Sequence, residues 1–335
     1  MGERNVVPAK SQATEHSSNP VLVYDRVTKG WELLLGDDLH FGYFENRQIP
    51  LSVATARVTR QMADWAQLRS ETRVLDIGCG IGGPACFLVR EVGCPVTGIS
   101  TSNVGVEIAA SRAEAQGLTD RVQFFERDAM ANGFSAESFD CAWIMESSHL
   151  MERKDLLVAE SARVLRPDGV LVLCDVVLRR AIPFQYLVKN LSEFENLNAV
   201  FGKQNVELLD TYMQLAENSG LTMLRNEDMS DAVFPTLERW GRNAESHRGE
   251  LKKLIGQEYL AQFLRACTFL ERLWKEGLLG YGMMLARKPH SAWQMEIERK
   301  PERAKQLPQA SQPRRGKFGP DLKLRIVEGG CGEGS

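Results

Sequence analysis

Apolar positions change their period several times along this chain. From residue 73 to residue 176, short apolar runs alternate with stretches of helical spacing. Arg73–Ile77, Pro95–Ser100, Val122–Glu126, Phe139–Met145 and Val170–Val176 read as strands. Helices are predicted over residues 83–92, 103–116 and 153–164, with Gly117 as a C-cap and Pro167-Asp168-Gly169 as a turn. Such alternation predicts a doubly wound, mostly parallel α/β sheet with helices on both faces. Ahead of it, Val27, Trp31 and Leu34 mark a helical segment starting near Tyr24. The aromatic turn His40-Phe41-Gly42-Tyr43-Phe44 follows, and then a helix over 51–68 carrying Val53, Val58, Met62 and Trp65. Beyond the fifth strand the pattern changes. Residues 179–217 and 232–275 read as helical, 220–226 as a candidate sixth strand, and 280–287 as a last strand. Helices set between the last strands predict a helical cap over the sheet's carboxyl edge. The expected division is a flexible leader (1–20), a core with N-terminal helices (21–178) and a cap on the substrate side (179–275). A final core strand (276–289) and a disordered, Pro/Gln/Gly-rich tail (290–335) complete it.

Composition adds exclusions. The 335 residues are 43% hydrophobic and 25% charged, ordinary for a globular protein. A net charge of −3 gives no electrostatic case for nucleic acid or for an anionic membrane surface. The basic run within 299–305 is short and reads as a solvated linker. No apolar run approaches the roughly 20 residues that span a bilayer, so no membrane insertion is expected. The polar first 20 residues carry no apolar signal core. Seven dispersed cysteines, without a CxxC pair, suggest reduced thiols in a cytoplasmic protein and no structural zinc or other metal.

The chemistry gathers around Asp76-Ile77-Gly78-Cys79-Gly80, a buried strand running into a glycine turn and a helix. Open α/β sheets bind ligands at this carboxyl edge. A nicotinamide dinucleotide and S-adenosylmethionine are both compatible with a glycine turn alone. Three blocks favour the second. Asp76–Gly80 strongly resembles the first motif of class I SAM-dependent methyltransferases, which have a Rossmann-like fold. Asp128-Ala129, after the third strand, is similar to the family's adenine-binding pair. Arg163–Leu171 resembles the turn before its fifth strand. The second strand ends in Gly98-Ile99-Ser100-Thr101 where many members place a carboxylate for the ribose, a form found in small-molecule methyltransferases. Ser102 reads equally well as a helix N-cap. The resemblance covers residues 21–289. It implies that Asp76, Gly78, Cys79, Gly80, Ser100, Thr101, Asp128, Ala129 and Met145 bind S-adenosylmethionine, and that a small-molecule acceptor is the other substrate.

Methyl transfer to a hydroxyl needs positioning, exclusion of water and a base tuned near neutral pH. His149, just past the fourth strand, is the natural base. The segment Glu146-Ser147-Ser148-His149 resembles that of natural-product sugar O-methyltransferases such as those of rebeccamycin biosynthesis. By that resemblance His149 takes the proton and Asp175, in the fifth strand, supports the site. Phe41, Tyr43, Phe44 and Tyr24 are candidates for covering the cofactor, or for packing. Phe184, Tyr186, Phe194 and Phe201 are expected in the core of the cap. The expected activity is O-methylation in secondary metabolism. The alternatives are C-methylation of a prenyl or sterol-like acceptor, N-methylation of a small amine, and an inactive SAM-binding scaffold.

Overall fold

The apolar runs form strands β1 (Val74–Ile77), β2 (Val96–Ser100), β3 (Val122–Glu126), β4 (Phe139–Met145), β5 (Leu165–Leu178), β6 (Thr222–Asp228) and β7 (Leu279–Arg287). This computed structural model describes residues 30–36 and 38–290. The expected leader, the aromatic Tyr24 and the tail beyond residue 290 lie outside the described residues. The strands make one sheet in the order β3-β2-β1-β4-β5-β7-β6. Pairs among β1 to β5 are parallel; β7 runs antiparallel to both β5 and β6. The order reverses at β1, so the carboxyl ends of β1 and β4 flank a switch-point crevice.

Strand side chains sort by parity onto two faces. Val74, Trp143, Val172 and Cys174 enter one apolar cluster, and Leu75, Ile77, Ile144 and Leu173 enter the other. Burial on both sides is why these strands read as unbroken apolar runs. Residues 30–35 form α1, followed by α2 (Leu51–Trp65), α3 (Gly83–Glu91), α4 (Asn103–Ala115) and α5 (Lys154–Val164). Helix α2 buries Val58, Met62 and Trp65, but Val53 is exposed because the buried stripe passes through Ala54 and Thr55 instead. Ser102 caps α4, its Oγ accepting from Gly105 N at 2.9 Å.

After β5 come α6 (Phe184–Lys189), α7 (Leu191–Phe201) and α8 (Leu209–Asn218); α9 (Ser230–Val233), α10 (Pro235–Ser246), α11 (Arg248–Leu254) and α12 (Gln257–Lys275) separate β6 from β7. The late helices divide between the faces. Helix α8 packs on α5, β6 and β7, with Tyr212 and Ala216 in the same cluster as Leu173 and Met284. Helix α12 packs on α7, α10 and β7 in the other cluster. Strand β5 is longer than its apolar run. The Pro167-Asp168-Gly169 turn is taken into it as an irregularity between the Phe139 and Cys141 pairings, with Asp168 at φ 65°. Of the aromatics expected inside the late helices, Phe194 packs edge-on to Phe269 and Phe201 against Phe263, whereas Phe184 is 72% exposed. No helix among the described residues is long and apolar enough to cross a membrane.

Candidate active site

The turn after β1 is shaped by what crosses it. Gly78 has φ 82°, and a Cβ there would stand 2.2 Å from the Cβ of Ser147. Only glycine meets both conditions. Ser147 in turn donates its Oγ to Ile77 O at 2.7 Å, tying the end of β4 to the end of β1. A cavity of about 330 Å³ opens over this junction, within the ~300–1,000 Å³ of small-ligand sites.

Of the residues expected to hold the cofactor, Gly78, Cys79, Gly80, Ser100, Thr101, Asp128, Ala129 and Met145 line this cavity. Asp76 is buried and is not part of the lining. Its Oδ2 has no hydrogen-bond partner among the described residues, and burial pushes its carboxyl up to about 7. An unpaired buried carboxyl is costly. The lining itself joins the Gly78–Gly80 turn, open to close backbone approach, to the Ser100 and Thr101 hydroxyls and the Asp128 carboxylate, which can accept from hydroxyl or amine donors, so it fits S-adenosylmethionine. Ser100 Oγ accepts from Ser102 N at 3.1 Å, and Asp128 Oδ1 accepts from Met130 N at 2.9 Å. Burial raises the Cys79 thiol well above its ordinary value, with the Asp76 charge adding to it, so Cys79 acts as a wall and not as a nucleophile.

Of the aromatic turn, His40 lines the cavity, beside Leu39, whereas Phe41, Tyr43 and Phe44 do not. Phe41 packs instead against Trp240, Trp274 and Tyr281, at centroid distances of 4.7, 5.5 and 5.6 Å. Its backbone N–H donates to Glu146 Oε1 at 2.7 Å, and Tyr281 donates its hydroxyl to the same oxygen at 2.5 Å. Glu146 lines the cavity from a left-handed backbone at φ 46°. Burial pushes its carboxyl up to about 8, with the Asp175 charge also raising it, against the donors on Oε1.

Next to the cavity a 3₁₀ turn, Ser148–Leu150, carries His149. Its neighbours Ser147 and Leu150 are lining residues; His149 and Asp175 are not. His149 Nδ1 lies 2.6 Å from Asp175 Oδ1, with the ring 16% exposed and the carboxylate fully buried. Asp175 Oδ2 accepts from His149 N at 3.1 Å and from Ser148 Oγ at 2.5 Å, and Val176 N donates to Oδ1 at 2.8 Å. Burial alone lifts a carboxyl, but the His149 imidazole and the hydrogen bonds of His149 and Ser148 outweigh it and hold Asp175 below its ordinary range. Lys154 Nζ donates to the carbonyls of Ser148 and Met151, clamping the turn. Burial pulls its ammonium down to about 8, opposed by the Asp175 and Glu207 charges.

Of the residues singled out in the sequence, His149 and Asp175 are in contact with each other, and the glycine turn lies against Ser147. Sequence reasoning missed Ser147, Ser148, Lys154, Tyr212 and Tyr281. The two serines stood in the quoted segment; the two tyrosines carried no local signal.

Residues 74–169 match a family model described as a methyltransferase domain. The chain is 35% identical over 268 residues to 27-O-demethylrifamycin SV methyltransferase of Amycolatopsis mediterranei, covering 79% of this chain and 95% of that protein. It is 32% identical over 268 residues to Methyltransferase GfsG of Streptomyces halstedii, covering 79% and 92%. Among solved structures, the [4+2]-cyclase SpnF superposes with a TM-score of 0.70 at 29% identity, covering 81% of this chain and 96% of that one.

Proposed function

Because the chain belongs to the SAM-dependent methyltransferases of natural-product type, we propose that it methylates a hydroxyl oxygen of a small-molecule acceptor, with His149 as the general base. S-adenosylmethionine, when bound, supplies an electrophilic methyl group. The chain supplies the rest. Asp76, Gly78, Cys79, Gly80, Ser100, Thr101, Asp128, Ala129 and Met145 are the residues we assign to cofactor binding. In this reading the stretches 21–178 and 276–289 carry the cofactor-binding part, and the acceptor side is supplied from within 179–275.

The observation that carries the base assignment is the 2.6 Å contact between His149 Nδ1 and the buried Asp175. A carboxylate there holds the ring's orientation and stabilises the imidazolium that forms when Nε2 takes the hydroxyl proton. The name of the rifamycin relative also sets its methyl on an oxygen. The solved cyclase of the same fold is a reminder that reaction type is decided at the site and not by the fold.

The test is a screen of hydroxylated acceptors with methyl-labelled S-adenosylmethionine, followed by mapping of the labelled atom. His149→Ala is expected to lower turnover ~10²–10⁴-fold with cofactor affinity retained by calorimetry. A label on carbon or nitrogen, or undiminished turnover in His149→Ala, overturns the reading.

A further inference from the structure

The His149–Asp175 pair does not end at Asp175. Tyr212, on α8, is fully buried, and its hydroxyl lies 2.9 Å from Ser148 Oγ, which is 2.5 Å from Asp175 Oδ2. The geometry points to Tyr212 as a positioning residue that acts on the base through Ser148 and Asp175. The inference rests on the base assignment above and extends it to a helix outside the strand ends.

Donor accounting fixes the direction of each bond. An ionised carboxylate only accepts. The single proton of Ser148 therefore goes to Asp175 Oδ2. Ser148 Oγ can then only accept from its other neighbour, so Tyr212 must donate. Burial drives the Tyr212 phenol upward, with the Asp175 charge adding, so it keeps that proton. On the other oxygen of Asp175, the proton of the contact belongs to His149 Nδ1, which leaves the lone pair on Nε2. The order is Tyr212 O–H to Ser148, Ser148 O–H to Asp175, and His149 Nδ1–H to Asp175. Polarised chains of this kind strengthen one another in a low dielectric. The Tyr212 ring is held by apolar neighbours of the α5–α8 face. Seating of α8 and basicity of His149 are thereby linked.

The charged and titratable groups around this chain are few. Lys154 of α5 lies on the Ser148 carbonyl, Glu207 precedes α8, and Glu146 follows β4. Each stays in place in a Tyr212→Phe protein, which removes one oxygen and keeps the ring.

The experiment needs no acceptor. The full chain is labelled with ¹³Cε1-histidine, and the His149 resonance is identified by its loss in His149→Gln. Its titration is then followed in wild type, Tyr212→Phe and Ser148→Ala. Losing a donor concentrates charge on Asp175, so the midpoint of His149 is expected to rise by ~0.3–1 pH unit in both variants. In the double variant the shift should match that of Ser148→Ala alone, because Tyr212 acts only through Ser148. An unchanged His149 midpoint in Tyr212→Phe overturns the proposal, as does an additive double variant. If Tyr212→Phe does not fold, incorporation of 3-fluorotyrosine into the wild-type chain carries the test: a stronger phenol donor should lower the His149 midpoint, the effect should vanish in Ser148→Ala, and an unmoved midpoint refutes the proposal. The turnover of His149→Ala is a separate readout. Full activity there sinks the base reading, whereas its loss beside an unmoved titration sinks only the role of Tyr212.

Discussion

Glu146→Gln tests whether a neutral carboxylic acid is built into the cavity wall. Both protein donors, Phe41 N–H and Tyr281 O–H, converge on Oε1. A glutamine places its carbonyl oxygen there and its amide where the acid carries Oε2. The two side chains are near equivalents while Glu146 is protonated and differ once it ionises. Its ordinary value is 4.5, and burial raises it to about 8 in the folded chain. The sign follows from that order. The stability this group contributes is fully present below 4.5 and is lost as pH rises through about 8, because the unfolded chain releases the proton first. The raised value corresponds to a ceiling of ~5 kcal/mol, at about 1.4 kcal/mol per unit. Water reaching the cavity side screens the charge and reduces this to about 2 kcal/mol. Urea unfolding of wild type and Glu146→Gln at pH 5, 6.5 and 8.5, without cofactor, reads the difference. Wild type should lose about 2 kcal/mol relative to the variant between the first and last pH. Curves that stay parallel within about 0.5 kcal/mol would refute the assignment of a buried neutral acid.

Gly78→Ala places a Cβ 2.2 Å from that of Ser147 at a left-handed φ. It should cost ~2 kcal/mol or more and weaken cofactor binding by calorimetry, with partial recovery in Gly78→Ala/Ser147→Gly; wild-type melting and affinity would contradict it. Phe41→Ala empties an aromatic box of Trp240, Trp274 and Tyr281. A loss of ~3–5 kcal/mol in chemical denaturation is expected, together with weaker cofactor binding because Leu39 and His40 form the adjoining wall. A loss below about 1 kcal/mol would show that the box collapses without strain.

The parts of the fold that were legible are those whose cause is local. Strands β3 and β4 have the bounds their apolar runs predicted, Val122–Glu126 and Phe139–Met145, because turns bound each run. Strand β5 extends past its run at both ends because pairing continues through an irregular turn that sequence reads as a stop. In the late helices an apolar residue does not reveal which face it joins. Phe184 sits on a six-residue helix with no buried residue, whereas Tyr212 sits at the centre of a cluster. The site divides in the same way. Gly78, Asp128 and His149 belong to compact motifs. The hydroxyls of Tyr212 and Tyr281 meet Ser148 and Glu146 across 64 and 135 residues of chain, and only tertiary packing decides those contacts.

Two carboxyls near the cavity are held in opposite states, and this difference bears on which group takes a proton. Glu146 and Asp175 stand near the ends of the adjacent parallel strands β4 and β5. Burial acts upward on both. At Asp175 it is outweighed by the His149 imidazole and by donors from His149 and Ser148, so the carboxyl is held down. At Glu146 two donors share one oxygen, no cationic side chain among the described residues pairs with it, and the Asp175 charge adds to burial, so the carboxyl is raised. Environments that push two groups apart in this way mark division of acid–base labour. Near neutral pH the ionised carboxylate backs an imidazole and favours proton uptake at His149. The neutral acid offers a proton toward the cavity from Oε2, which suits fixing an oxygen or a cofactor carboxylate and not removing a proton. If the roles were reversed, Glu146→Gln would abolish turnover while His149→Ala preserved it. The converse pattern is the one this distribution of donors predicts.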